Sequence, residues 1–301
     1  MGALHEGHLS LVRKSLSEND LTVVSIFVNP AQFAPHEDLA SYPRTLPGDL
    51  KLLEAEQVHP ATDGPASCEI RTPAAVFVPS VKEMYPSGIV QNVTDQKGTF
   101  IEVKGYSHQM EGQTRPTFFR GVATVVTKLF NIIQPTNAYF GQKDVQQAFI
   151  LKRLVTDLLL SHPTPEHLHI VPTARDPTDG LALSSRNTYL TPDGRKVAPT
   201  LRQALLAAEE AWKAGATKEE CIAKAKAIVE SNKQKATSEE LAVELKLDYV
   251  EMNDVKTFDV LEPQARRQAE EQVVILSGAL YVDKTRLIDN ILLGDTTNIL
   301  D

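Results

Sequence analysis

Residues 1–12, "MGALHEGHLSLV", decide the fold. His5 and His8 stand three apart with Gly7 before the second, and Leu9, Val12 and Leu16 continue at the spacing of an amphipathic helix. The two histidines therefore sit where a helix begins. Backbone N–H groups and the positive end of the helix dipole favour a phosphate there, and Gly7 lets the backbone come close to it. Imidazole donors at such a place can stabilise charge that develops on a nucleotide α-phosphate in its transition state. A zinc site of the HExxH kind needs its histidines four apart, so the pair does not read as a metal site.

Outward from this stretch, Thr22–Val28, "TVVSIFV", is a β-branched and aromatic run that suits a strand buried on both faces of a parallel sheet. A short helix is expected over Pro47–Gln57 and a strand over Ala75–Val78. Residues 120–133, "RGVATVVTKLFNII", place Val122, Val125, Val126, Leu129 and Ile133 on one helical face. "NAYFG" then reads as a strand, "DVQQAFILKRLVTDLLL" as a helix and "LHIVP" as a strand. This alternation implies right-handed crossovers and an α/β fold with a doubly wound parallel sheet. Beyond Thr191 the character changes: two Ala-, Lys- and Glu-rich helices, about 195–214 and 217–234, precede the strands "LDYVEMND" and "VVILSGALYV". The expected organisation is a Rossmann-like domain over 1–191, with a surface insertion at 59–73, and a smaller α+β domain over 192–301.

Composition narrows the function. A chain of 301 residues with 42% hydrophobic content can bury a sizeable core. Its net charge of −8 argues against bulk binding of nucleic acid, so an anionic substrate must be held by a local cluster of basic groups. The apolar runs Val23–Val28 and Val273–Val282 fall short of the roughly 18–20 residues of a membrane span. Cys68 and Cys221 form no metal or redox spacing and read as reduced thiols, which fits a cytoplasmic protein.

In open α/β sheets ligands bind at the carboxyl ends of strands, and three further stretches fall there. In "FVNPAQF", Asn29 and Gln32 directly follow the first strand, although Asn-Pro is also an ordinary turn. In "GQKD", Gly141–Asp144, Lys143 offers a point charge for phosphate at a strand-to-helix junction, with Gln147 one turn on. In "LALSSRN", Ser184, Ser185 and Arg186 offer two hydroxyls and a guanidinium. There is no GxxxxGK and no GxGxxG after a strand, which excludes those two phosphate loops.

Together these stretches closely resemble the pantoate–β-alanine ligase family, whose nucleotide-binding signature is HxGH. The resemblance runs through "MGALHEGHLSLV", "SIFVNPAQF", "YPRTL", "PSVKEMYPSG", "EGQTRPTFFRGVATVVTKLFN", "FGQKD", "GLALSSRN" and "RLIDN". It implies ATP-dependent joining of pantoate and β-alanine through a pantoyl adenylate, with pyrophosphate and AMP released. By this resemblance His8 is the catalytic histidine, with His5 and Lys143 beside it. The ATP site is Met1, Gly2, His5, Gly7, His8, Gly141, Lys143, Asp144, Ala174, Leu183, Ser184, Ser185 and Arg186. Gln32 and Gln147 hold the pantoate and β-alanine substrates, with Asn29, Tyr42 and Arg115 as further contributors. Magnesium rides on the ATP phosphates with Asp144 as a protein contact, and the working form is a homodimer.

Three departures accompany the resemblance. Where many members carry a second histidine after "RPx", this chain has Phe118; "ARDPTDG" is one residue longer than the common form; and members carry a strand ending in Pro-Thr immediately before this Met-Gly. The chain is therefore expected to lack the first central strand. Two other readings accompany the ligase: a truncated, inactive nucleotide-binding remnant of the family, and a nucleotidyltransferase with another acceptor.

Overall fold

A computed structural model describes residues 1–35, 37, 39–59, 70–268 and 272–300. The chain divides into two compact units: Met1–Gly141 with Val145–Val171, and Gln142–Asp144 with Pro172–Asp301. The second unit takes in the residues from Pro172 on, ahead of Thr191, where the composition changes. Most of the expected insertion at 59–73 lies outside the described residues.

In the first unit, α1 (Glu6–Glu18) starts from an extended His5 whose Nδ1 accepts the Gly7 N–H at 3.1 Å. Its Leu9, Val12 and Leu16 are buried with Leu4, Val24, Ile26 and Leu53 in one apolar cluster. Each such side chain stabilises the fold by roughly 1.5–3 kcal/mol relative to exposure. β1 (Val23–Ser25) pairs in parallel with β2 (Ala75–Phe77), Val24 opposite Val76. α2 (Leu46–Ala55), with Pro47 in its first turn, lies between them in sequence. The single turns α3 (Val81–Met84) and α4 (Glu111–Thr114) precede the long helix α5 (Phe118–Ile133). β3 (Ala138–Gly141), α6 (Val145–Asp157) and β4 (Leu168–Val171) complete the unit, β3 and β4 pairing in parallel with Ala138 opposite Leu168.

The α/β alternation and the parallel pairing match the expectation, but the strands form two separate two-stranded sheets rather than one doubly wound sheet. The run Thr22–Val28 yields only three residues of ladder because β1 has one strand partner. Met1 also bonds to this run, its nitrogen donating to Ser25 O at 3.1 Å and its carbonyl accepting from Phe27 N at 3.0 Å.

In the second unit, α7 (Pro192–Val197), α8 (Thr200–Lys213) and α9 (Lys218–Ser238) precede an antiparallel sheet in the order β5 (Leu245–Asp254), β6 (Val274–Val282), β7 (Thr285–Leu293). The helix expected from 195 is split because Pro199 has no N–H to continue the ladder of α7. Thr217 opens α9 with a reciprocal cap: its hydroxyl accepts from Glu220 N and its own N–H donates to Glu220 Oε2. Leu201, Leu205, Trp212, Cys221 and Val229 from the helices pack with Met252, Leu276 and Leu280 of the sheet. The strand β7 was not expected from the sequence. Among the described residues no helix is long and apolar enough to cross a membrane.

Candidate active site

The histidine pair stands at the start of α1 in the first unit. His5 and His8 have ring centroids 4.1 Å apart, and the His5 carbonyl accepts from His8 N at 2.7 Å and from Leu9 N at 3.1 Å. Because the His5 Nδ1 is an acceptor, the neutral ring carries its proton on Nε2 and is a donor there. Ahead of the helix, Ala3 adopts a left-handed backbone with φ of 49°, and the next N–H, that of Leu4, donates to Asp49 Oδ1 at 2.8 Å. Asp49 is buried on α2, and its Oδ1 also takes the Thr45 hydroxyl at 2.9 Å. Asp49 thus fixes the residues that deliver His5, a role the sequence reading missed. Gly2 is close to Val28, where an added Cβ would stand 3.3 Å from the valine methyl.

The turn after β1 carries the second group. Asn29 is buried, and all its polar capacity is spent inside the unit. Its Nδ2 donates to Gln32 Oε1 at 3.2 Å and to Gly121 O at 3.1 Å; its Oδ1 accepts from Ala31 N at 3.3 Å and from the Tyr85 hydroxyl at 2.6 Å. Burial holds the Tyr85 phenol above its ordinary pKa, so it stays a donor. Asn29, expected from the sequence as a substrate contact, has its polar atoms bonded within the unit, one of them to Gln32. Arg115 is likewise engaged: its Nε donates to Glu37 Oε1 at 2.5 Å, a terminal nitrogen donates to Gln32 O at 3.1 Å, and its guanidinium lies 3.9 Å over the Phe118 ring. Phe118 therefore supplies a face for a cation in this chain. Tyr42 meets Phe33 edge-on at 5.5 Å.

On α6, Gln147 is half-buried, while its neighbour Gln146 is buried. Gln146 accepts from Glu111 N at 3.0 Å and donates to Gln109 O at 2.9 Å and Tyr106 O at 3.1 Å, so it anchors the chain ahead of α4. The two glutamines had been indistinguishable in sequence except by their phase on the helix.

In the second unit, Lys143 and Asp144 share one short turn with Lys143 Nζ 3.9 Å from Asp144 Oδ2. The backbone of Ala174 and Leu183 is brought together by a bond from Leu183 N to Ala174 O at 3.0 Å, the end of a small hairpin that also pairs Arg175 with Ala182. Ser184 caps the turn that follows, its hydroxyl accepting from Arg186 N at 3.3 Å, and Ser185 is buried. Arg175 braces the hairpin from below, donating to Asp289 at 2.7 and 2.8 Å and to Gly180 O at 3.1 Å. Arg195 closes the far end against Asp176 and Asp179, at 2.6 and 2.5 Å. The Thr178 backbone N–H, with that arginine, holds the Asp176 carboxyl below its ordinary pKa.

Among the described residues no three His, Cys, Asp or Glu side chains converge on a metal-sized site. Asp144, with its side chain about half exposed, is the acidic group of the lysine turn. That donor set fits a divalent ion that arrives on phosphates and keeps most of its waters, rather than a protein-built cage.

A family model described as pantoate-beta-alanine ligase matches residues 1–292. The chain is 44% identical to a pantothenate synthetase of Herpetosiphon aurantiacus over 97% of its length and 91% of that protein. It is 43% identical to the pantoate–beta-alanine ligase of Saccharomyces cerevisiae, over 97% and 90%. Among solved structures, pantothenate synthetase from Thermus thermophilus superimposes with a TM-score of 0.76 at 37% identity, covering 97% of this chain and 90% of that one. A pantoate-beta-alanine ligase from Francisella tularensis, complexed with beta-gamma ATP and beta-alanine, gives a TM-score of 0.67 at 32% identity, covering 97% and 87%.

Proposed function

The chain belongs to the pantoate–β-alanine ligase family, and from that premise we propose that its own residues carry out the two steps of that ligation. A pantoate carboxylate oxygen attacks the α-phosphorus of ATP, the bond to pyrophosphate breaks, and pantoyl adenylate forms. The amine of β-alanine then attacks the acyl carbon, the bond to AMP breaks, and the amine gives up a proton as pantothenate forms. A carboxylate alone is a poor acyl donor; adenylation supplies the leaving group. The observation that carries this reading is the near-complete coverage, 97% of the chain at 44% identity to one relative, together with a family match over residues 1–292 that holds every site motif.

His8 and His5 act as donors to the ATP phosphates at the start of α1, where the first-turn N–H groups add to the same field. Met1, Gly2, Gly7 and Gly141 let backbone approach the nucleotide. Gln32 holds pantoate: its Oε1 is occupied by Asn29, so it presents the two N–H groups of Nε2 to a carboxylate or hydroxyl oxygen. Gln147 is a second pantoate contact, and Arg115 acts through Glu37 and the Gln32 backbone. In the second unit Lys143 takes a phosphate, Ala174 and Leu183 offer backbone groups, and Ser184, Ser185 and Arg186 bind nucleotide. Asp144 would be the protein contact for a magnesium ion carried on the ATP phosphates, and the ion would supply positive charge against the leaving pyrophosphate. His5, His8, Gln32 and Gln147 belong to the first unit, and Lys143, Ala174 and Leu183–Arg186 to the second. A cytoplasmic homodimer is the family expectation for the working form.

The test is pyrophosphate release by the purified chain with ATP, magnesium and pantoate, with and without β-alanine. Release that depends on pantoate and rises with β-alanine supports the ligase. Release driven by another acceptor and not by pantoate would assign a different transferase, and silence from well-folded protein would assign an inactive relative.

A further inference from the structure

Asp289 and Asn290 are consecutive on β7, between Leu287 and Ile291, and are only 4% and 1% exposed. A carboxylate and an amide buried this deeply are costly unless each polar atom is bonded. Here each is. Asn290 Nδ2 donates to Gln142 O at 2.9 Å and to Lys143 O at 3.0 Å, while its Oδ1 accepts from Gln142 Nε2 at 3.1 Å. Asp289 takes the Arg175 guanidinium on both oxygens and the Asn290 N–H on Oδ1 at 2.8 Å. Two neighbouring side chains of one strand thus grip two loops: Asn290 the lysine turn, and Asp289 the hairpin that joins Ala174 to Leu183.

We propose that Asn290 is a positioning residue for Lys143, a proposal that rests on the reading of Lys143 as a phosphate contact. Two hydrogen bonds fix the Gln142–Lys143 backbone, and with it the direction in which the lysine stem leaves the chain, while a third holds the Gln142 side chain. The ammonium of a lysine is a point charge on a flexible stem, so the stem's origin is what the protein can set in advance. Asn290 does not touch substrate; it acts through the turn.

The experiment compares the parent chain with N290A, K143A and the double variant in pyrophosphate release, varying ATP and β-alanine separately. N290A is expected to lower kcat/KM for ATP about 10²-fold, the scale of a small misplacement of a catalytic group. The KM for β-alanine, which enters after adenylation, stays as in the parent. The double variant is expected to lie within about threefold of K143A, because the two residues act as one unit. Losses that multiply in the double variant would overturn the proposal while leaving Lys143 in place. A K143A variant as active as the parent would overturn the reading of Lys143 and the proposal with it. If N290A lacks a native circular-dichroism spectrum, N290S, which keeps one hydroxyl donor for a carbonyl, replaces it under the same criterion.

Discussion

Asn29 and Gln32 form a fixed pair: Asn29 Nδ2 lies 3.2 Å from Gln32 Oε1, while its other N–H goes to Gly121 O. The orientation of the Gln32 amide is thereby set by a residue whose own polar atoms are all bonded within the unit.

Replacing Asn29 by alanine removes both donors and leaves the Tyr85 hydroxyl and the Ala31 N–H without their acceptor in the interior. The expected cost is roughly 1–3 kcal/mol of stability per unsatisfied group. The kcat/KM for pantoate falls by more than that for ATP, because Gln32 loses its orientation. Urea melts with steady-state kinetics on each substrate check this; equal losses for the two substrates would contradict the assignment of Gln32.

Asp49 and the Leu4 N–H make a second such pair. D49A leaves that N–H without an acceptor inside the apolar cluster, at a cost of roughly 1–3 kcal/mol, and loosens the residues ahead of His5. D49N keeps an amide oxygen for Leu4 and is expected to retain most of the stability. Thermal melts of the two variants side by side decide the matter: equal destabilisation would mean that the negative charge, not the acceptor, is what counts.

His8→Ala is expected to lower turnover by roughly 10²–10³-fold with little change in the KM for pantoate, as loss of a transition-state donor does. Turnover close to that of the parent would remove His8 from the mechanism.

Cys221 is buried on α9, and burial pushes its thiol from 9.0 up to about 11. The unfolded chain gives up this proton at a lower pH than the folded one, so the folded state loses stability as pH rises through that window. In a Cys68→Ser background, native protein at about pH 8 is expected to leave Cys221 unlabelled by a thiol reagent, and urea to expose it. Fast labelling of native protein would contradict the packing of α9 against the sheet.

The parts of the fold that were legible in sequence are those in which one local signal agrees with burial. The helix of Leu9, Val12 and Leu16 and that of Val122, Val125 and Val126 fall where their spacing puts them. The strand β7 was illegible because Asp289 and Asn290 interrupt its apolar pattern, and only the loops they bind explain polar residues at a buried position. Gly121 shows the same limit: an added Cβ would stand 2.3 Å from the Ala31 carbonyl oxygen, a close approach that nothing in a helical pattern announces. Candidate site residues were found by type and position, but type alone could not separate those with free groups from those already spent. Asn29 and Arg115 are expected as ligands because their chemistry suits one; their bonds to Gln32, Gly121 and Glu37 could not be read from sequence.

The central claim is that a carboxylate oxygen of pantoate bonds to the α-phosphorus of ATP. Pantoate labelled with oxygen-18 in its carboxylate, turned over with ATP, magnesium and β-alanine, tests it by mass analysis of the products. One labelled oxygen in AMP and none in pyrophosphate is the predicted result. Unlabelled AMP, or label in inorganic phosphate or pyrophosphate, would contradict the account.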